Sequence, residues 1–121
     1  MAPAWTNDQL RRKWHVQRAF RYVFAATLTI DDPQVERVTG DAAEFVRELK
    51  RADGGDIWLC GGGNLAGQLV DEIDEMVIKS YPVVAGAGIS AFAGVFNPTQ
   101  FAVKSRKDFD SGTQVTWFER K

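Results

Sequence analysis

The order of apolar and polar residues predicts β-strands that alternate with α-helices along most of the chain. Residues 21–30 form an apolar, β-branched and aromatic run that is typical of a buried strand, and the run ends at the polar residues before Pro33. A second short strand is predicted over 35–38. The continuous apolar run at 56–60 indicates a central parallel strand that is covered on both faces.

Helices are predicted between and before these strands. The first falls within residues 1–20, and its periodicity is moderate. The clearest helix follows Asp41, its predicted N-cap, with Glu44 three residues later in a capping-box pattern and apolar residues at i, i+3, i+4 and i+7 from position 42. A short helix is predicted over 64–71. Alternation of this kind favours an α/β fold.

The C-terminal part is predicted to consist of strands. One covers 76–84, where Pro82 indicates an edge, a bulge or the end of the strand. Residues 100–108 and 113–120 are predicted to form an antiparallel hairpin, joined by a turn at 110–112. The whole pattern therefore predicts an α/β sheet that is mostly parallel with an antiparallel edge.

Composition narrows the class of protein. The length of 121 residues and the 45% hydrophobic content are sufficient for one domain. We expect this domain to cover 21–121 and to follow the helix predicted in 1–20. The net charge of -1 provides no basic field for nucleic acid, and no stretch approaches the ~20 apolar residues that span a bilayer. Cys60 is the single cysteine, and no signal peptide is evident, so a reducing, cytoplasmic setting is expected.

The triple glycine 61–63 is the clearest candidate for chemistry, because it lies between a predicted strand and a predicted helix. Glycines let the backbone approach a ligand, and the first N–H groups of a helix favour a phosphate. A turn that only packs closely against its neighbours explains the same residues equally well. Gly61, Gly63 and Ala66 fit the dinucleotide pattern G-x-G-x-x-A, although the acidic residue expected about 20 positions later is absent.

Other reactive side chains have simpler explanations. His15 is the only histidine and is most simply a surface or packing residue. A buried position at the end of a strand is the simpler reading of Cys60. The four acidic residues between 71 and 75 resemble a metal site by composition only. We therefore predict no metal site, and the sequence identifies no catalytic residue.

Three segments together resemble a known family. Residues 21–29, 55–66 and 73–88 are similar to the dihydrofolate reductase-like reductases, and most of all to the RibD C-terminal domain group, which is related to the pyrimidine reductase of riboflavin biosynthesis. The similarity runs from residue 21 to residue 120. It implies a three-layer, mostly parallel sheet with a C-terminal antiparallel hairpin. Family members begin with an additional strand, and nothing before Arg21 matches it, so we expect this N-terminal strand to be missing.

The resemblance also implies a cofactor, NADPH, and the residues that bind it. The triple-glycine turn would bind the pyrophosphate, and a cis peptide is expected at Gly61-Gly62 or Gly62-Gly63. Family members often carry Ser-Arg-Thr after the first strand, near the adenosine 2′-phosphate, where this chain has two alanines and a threonine. The loss of these donors affects the preference for NADPH over NADH. The implied cofactor-binding residues are Cys60, Gly61, Gly62, Gly63, Asn64, Leu65, Ala25, Ala26 and Thr27.

Two functions remain open from the sequence. The first is an NADPH-dependent reductase that transfers a hydride to a pyrimidine- or pterin-like small-molecule substrate, with no proton donor identified. The second is a truncated, non-catalytic nucleotide-binding or assembly module. Either the chain is a fragment, or the N-terminal helix and a partner chain cover the sheet edge left by the missing strand, and for the second alternative a homodimer is expected.

Overall fold

The computed structural model describes residues 21–121, and the helix predicted within 1–20 lies outside this part of the chain. The described residues form five strands, two α-helices and one 3₁₀ turn. In chain order these are β1 (Arg21–Phe24), β2 (Val35–Val38), α1 (Ala42–Arg51), α2 (Gly63–Gln68), the 3₁₀ turn (Val70–Glu72), β3 (Glu75–Ser80), β4 (Phe101–Asp108) and β5 (Gln114–Arg120).

The strands form two sheets. β1 and β2 pair in parallel, whereas β3, β5 and β4 form an antiparallel sheet in that order. The mixed architecture of strands and helices agrees with the sequence, but the expectation of one mostly parallel sheet does not hold for residues 21–121. Three of the five strands described there are antiparallel.

This difference arises at residues 56–60, where a central strand was predicted and none is present. These residues belong to neither sheet, so the prediction of a strand was wrong for the part of the chain that the structure describes. A strand exists only where a neighbour completes its hydrogen-bond ladder, and apolar composition alone cannot supply that neighbour. The side chains of Ile57, Trp58 and Leu59 are nevertheless partly buried.

The first strand is shorter than predicted. β1 ends at Phe24, and only the backbone N–H of Ala25 continues the pairing, with the carbonyl oxygen of Val38 at 3.3 Å. β2 offers four residues for pairing, so residues 25–30 have no further partner in this sheet and leave it as a loop. β2 itself has the predicted bounds.

Helix α1 begins as predicted. The Asp41 carboxylate accepts hydrogen bonds from the backbone N–H groups of Ala43 at 2.9 Å and Glu44 at 3.2 Å. This satisfies two of the four N–H groups that a helix start leaves without an intrahelical partner. Phe45 then contacts the rings of Tyr22 and Phe24 edge-on, which fixes α1 on the parallel sheet.

The core lies between the two helices and the strand ends. Ala42, Val46 and Leu69 form its buried centre, and among the side chains that pack against it are those of Phe24 and Leu59. Phe24 precedes the loop at 25–30 and Leu59 precedes Cys60. The loop after β1 and the glycine turn therefore leave from the same part of the core.

The C-terminal hairpin is confirmed. β4 and β5 pair closely to the predicted bounds, and the turn between them is closed by Phe109, whose N–H donates to the carbonyl oxygen of Thr113 at 2.9 Å. Gly112 has φ +87°, a conformation that favours glycine. β3 ends at Ser80, short of the predicted Val84, because the chain turns away at Pro82.

Candidate nucleotide-binding site

The glycine turn connects the apolar segment at 57–60 to helix α2. Cys60 is a free, exposed thiol, so the expectation of a buried position was wrong. The Gly61–Gly62 peptide bond is cis, which is one of the two positions that the resemblance implied. Gly61 has φ +113°, and Gly62 is the N-cap residue of α2. The two glycines thus lie immediately before the first residue of the helix.

One side of this turn is open. A Cβ atom added at Gly61 or Gly62 would meet no atom within 4 Å in the described part of the chain. No side chain there caps the N–H groups at the start of α2. Bare backbone beside uncapped helical N–H groups is the environment that suits a phosphate, so the turn fits the pyrophosphate of a dinucleotide.

The other side of the turn is packed. A Cβ atom at Gly63 would overlap the carbonyl oxygen of Ser90, and one at Gly67 would overlap that of Ala93. The N–H of Ala93 also donates to the carbonyl oxygen of Gly63 at 2.9 Å. Close packing therefore accounts for Gly63, whereas it does not account for Gly61 and Gly62.

The next two residues of the predicted site point to different roles. Leu65 packs against the core cluster around Leu69. Asn64 is exposed, and its side-chain oxygen accepts a hydrogen bond from the Gln68 amide one turn later. The Leu65 side chain thus packs into the core next to the turn, whereas Asn64 places a polar group on the surface.

The loop after β1 carries the remaining predicted residues. Ala26 and Thr27 are exposed, and Ala25 is partly buried. The carbonyl oxygen of Ala26 accepts a hydrogen bond at 3.0 Å from Nη1 of Arg37 on β2. Sequence reasoning did not single out Arg37. The only signal was a cation inside the short strand predicted over 35–38.

A shallow hollow opens beside this hydrogen bond. It has a volume of about 280 Å³ and combines three apolar side chains, one hydroxyl and one guanidinium. Its lining residues are Leu28, Thr29, Ile30, Val35 and Arg37. Side chains of successive strand residues point to opposite faces of a sheet. Val38 is buried on the face that carries Phe45, so Val35 and Arg37 point to the opposite face, where the hollow lies.

The acidic residues between 71 and 75 have structural partners. Glu72 bonds to Arg47 at 2.7 Å, and this hydrogen bond raises the pKa of Arg47. Asp71 accepts from the Asn97 amide at 3.4 Å. Within residues 21–121, no group of three or more His, Cys, Asp or Glu side chains is placed to hold a metal ion, and no helix is long and apolar enough to cross a membrane. His15 lies outside these residues.

Two Bacillus subtilis (strain 168) proteins are similar in sequence to this chain. YwjB is 34% identical over 97 residues, which are 78% of this chain and 56% of YwjB. YyaP is 32% identical over 109 residues, which are 88% of this chain and 57% of YyaP. The chain thus spans little more than half the length of either relative.

Solved structures show the same fold. A Shewanella sp. PV-4 protein whose name refers to riboflavin biosynthesis superposes with a TM-score of 0.67 at 25% identity, covering 83% of this chain and 59% of that one. A Thermotoga maritima diaminohydroxyphosphoribosylaminopyrimidine deaminase/5-amino-6-(5-phosphoribosylamino)uracil reductase superposes with a TM-score of 0.61 at 20% identity, covering 83% and 30%. The sequence profile of the RibD C-terminal domain matches residues 5–115, and the chain belongs to that family.

Proposed function

We propose that this chain forms the cofactor-binding part of a cytoplasmic, NADPH-dependent reductase that acts on a pyrimidine- or pterin-like small molecule. The observation that carries the proposal is the open side of the turn at Gly61 and Gly62, where bare backbone adjoins uncapped helical N–H groups. NADPH, when bound, supplies the hydride for the reduction. Family membership supports the reductase class, and the name of the Thermotoga maritima relative supports a pyrimidine substrate.

The residues of this chain hold and orient the cofactor in the proposal. Gly61 and Gly62 allow the pyrophosphate to approach the backbone, and the N–H groups at the start of α2 donate to it. The exposed groups of Cys60 and Asn64 flank that position. The three-layer arrangement belongs with this proposal, since it requires a further strand to pair with residues 57–60.

Titration with NADPH, followed by nucleotide fluorescence, tests the proposal. We expect binding by the unmodified chain and its loss in Gly62→Val, whose side chain would fill the open side of the turn. Gly55→Val is the matched control, because Gly55 also has no atom within 4 Å of an added Cβ but lies in the loop before residue 57. The absence of binding at millimolar NADPH, or equal binding by Gly62→Val, would overturn the proposal.

A second candidate, a non-catalytic homodimeric assembly module, is favoured by a different feature. The sequence contains no charged residue from Tyr81 to Val103. Three apolar side chains of this segment, Val84, Ile89 and Phe96, are each 95% exposed. An uncharged segment can face a second copy of itself without bringing like charges together, and exposed apolar surface is typical of interaction sites.

Sedimentation of the purified chain tests this second candidate. We expect a dimer that dissociates in Val84→Asp and Phe96→Asp, because each carboxylate would be buried against its own copy. Phe109→Asp is the control, since Phe109 is also exposed but lies in the hairpin turn. A dimer that binds NADPH without oxidising it in the presence of pyrimidines or pterins would favour this candidate over the reductase. A monomeric chain would exclude it.

A further inference from the structure

Arg37 has an unusual position for a cation in a short strand. Its Nη1 donates to the carbonyl oxygen of Ala26 at 3.0 Å, which orients the guanidinium against the loop after β1. A guanidinium has five N–H donors, and this is the one hydrogen bond that it makes with the residues described here. The other donors are available on an exposed side chain, next to a loop that the family resemblance associates with the cofactor.

The hollow beside Arg37 has two chemically different walls. Leu28, Ile30 and Val35 provide apolar surface, and Arg37 provides the positive charge. A ligand that suits both walls has a flat, apolar ring system joined to an anionic group. A nucleoside that carries a phosphate monoester has this composition. Guanidinium groups bind phosphate oxygens in pairs, with strong directional preference.

None of the ion pairs within residues 21–121 includes Arg37. Glu36 precedes Arg37 in β2, so its side chain points to the opposite face of the sheet. The Asp32 carboxylate accepts a hydrogen bond from the backbone N–H of Gln34. The loop residues Ala25 and Ala26 add no side-chain donor, which leaves Arg37 as the cation of this hollow.

We propose that Arg37 is a specificity-determining residue that binds the phosphate on the ribose 2′ position of the cofactor's adenosine, while the apolar wall of the hollow receives the adenine. This inference rests on the proposed function, because it assigns the adenosine end of the same dinucleotide. It gives the chain a preference for NADPH over NADH although alanines occupy positions 25 and 26.

Equilibrium titrations with NADPH, NADH and adenosine 2′,5′-bisphosphate test the inference. A charge-assisted hydrogen-bonded contact corresponds to about a 10- to 100-fold change in affinity. We therefore expect Arg37→Ala to weaken NADPH and the bisphosphate by about this factor and to leave NADH unchanged. Arg37→Lys keeps the charge without the planar pair of donors and should fall between the two. Arg51→Ala, which removes an exposed cation from α1, is the control and should leave all three affinities unchanged.

The outcomes separate this inference from the proposed function. If NADPH binds and Arg37→Ala lowers NADPH and NADH affinity equally, or lowers neither, the role of Arg37 is wrong and the reductase proposal stands. If the bisphosphate binds in an Arg37-dependent way but Gly62→Val leaves NADPH binding intact, the Arg37 site stands and the glycine turn is wrong. If none of the three ligands binds at millimolar concentration, both proposals fail.

Discussion

The side chain of Arg120, near the C-terminal end of the chain, donates a hydrogen bond from Nε to the carbonyl oxygen of Ile73 at 2.8 Å. Its Nη2 donates to the carbonyl oxygen of Val70 as well, and its own backbone N–H donates to that of Asp74 at 2.8 Å. The guanidinium lies over the ring of Phe101. A single arginine of the antiparallel sheet thus satisfies the carbonyl groups around the 3₁₀ turn that follows α2.

Replacing Arg120 should therefore destabilise the whole domain. Arg120→Leu removes two charge-assisted hydrogen bonds from partly buried carbonyl groups, so we expect a loss of about 2 to 4 kcal/mol in the free energy of unfolding. Arg120→Lys keeps the charge but cannot reach both carbonyl groups, and it should recover only part of the loss. Urea unfolding followed by tryptophan fluorescence measures both changes.

Arg51→Leu provides the comparison for Arg120. Arg51 is exposed and pairs with Glu48 on the surface of α1, so its loss should change the unfolding free energy by no more than about 0.5 kcal/mol. Equal effects of Arg120→Leu and Arg51→Leu would show that the contacts around the 3₁₀ turn contribute nothing specific.

The glycines around the turn should differ in their tolerance of alanine. In Gly67→Ala the new Cβ would overlap the carbonyl oxygen of Ala93, so we expect destabilisation by about 1 to 3 kcal/mol. Alanine has the higher helix propensity, by about 0.8 to 1 kcal/mol, so a loss of stability in this helix must come from packing. Gly63→Ala should behave in the same way, because it meets Ser90.

Gly62→Ala is the contrasting variant. Its Cβ meets no described atom within 4 Å, so thermal unfolding should shift little while nucleotide affinity falls. A large loss of stability in Gly62→Ala, or none in Gly67→Ala, would contradict the division of the turn into an open and a packed side.

Local sequence signals predicted the elements that depend on local chemistry. Asp41 marks the start of α1 because its carboxylate caps backbone N–H groups two and three residues away. The turn at Gly112 defines the hairpin in a similar way. The segment at 57–60 was misjudged because apolar composition reports burial, whereas a strand also needs a partner. Its burial was indeed found, in the contact of Leu59 with the core.

The candidate site was accessible to sequence reasoning only in part. The glycine turn carries a recognisable pattern, whereas Arg37 is defined by a contact with Ala26, eleven residues earlier in the chain. Nothing in the four residues of β2 indicates that contact. The division between Gly62 and Gly63 was equally hidden, because it depends on where Ser90 lies.

The N-cap of α1 gives a third prediction. Asp41→Ala removes the acceptor for the backbone N–H groups of Ala43 and Glu44 and should cost about 1 kcal/mol of stability. Asp41→Asn retains a side-chain oxygen and should remain close to the unmodified chain. Urea unfolding of the two variants decides the matter, and equal losses would indicate that the negative charge, and not the hydrogen bonds, supports the helix start.

The ion pair between Lys104 and Glu75 predicts how stability depends on pH. Lys104 Nζ lies 2.9 Å from a Glu75 carboxylate oxygen, and this hydrogen bond lowers the pKa of Glu75 below its ordinary value of 4.5 and raises that of Lys104 above 10.5. Around and below pH 4.5 the unfolded chain binds the Glu75 proton more readily than the folded chain. The pair's contribution is therefore complete above that pH and is lost as the pH falls through the lowered pKa.

At the basic end the sign reverses. The Lys104 contribution is complete below pH 10.5 and is lost as the pH rises through the raised pKa. Glu75→Gln should flatten the acid limb of a stability profile measured by urea unfolding, and Lys104→Met should flatten both limbs. Because both side chains are exposed, added salt should reduce the difference between these variants and the unmodified chain. An acid limb of unchanged slope in Glu75→Gln would show that other carboxylates control acid stability.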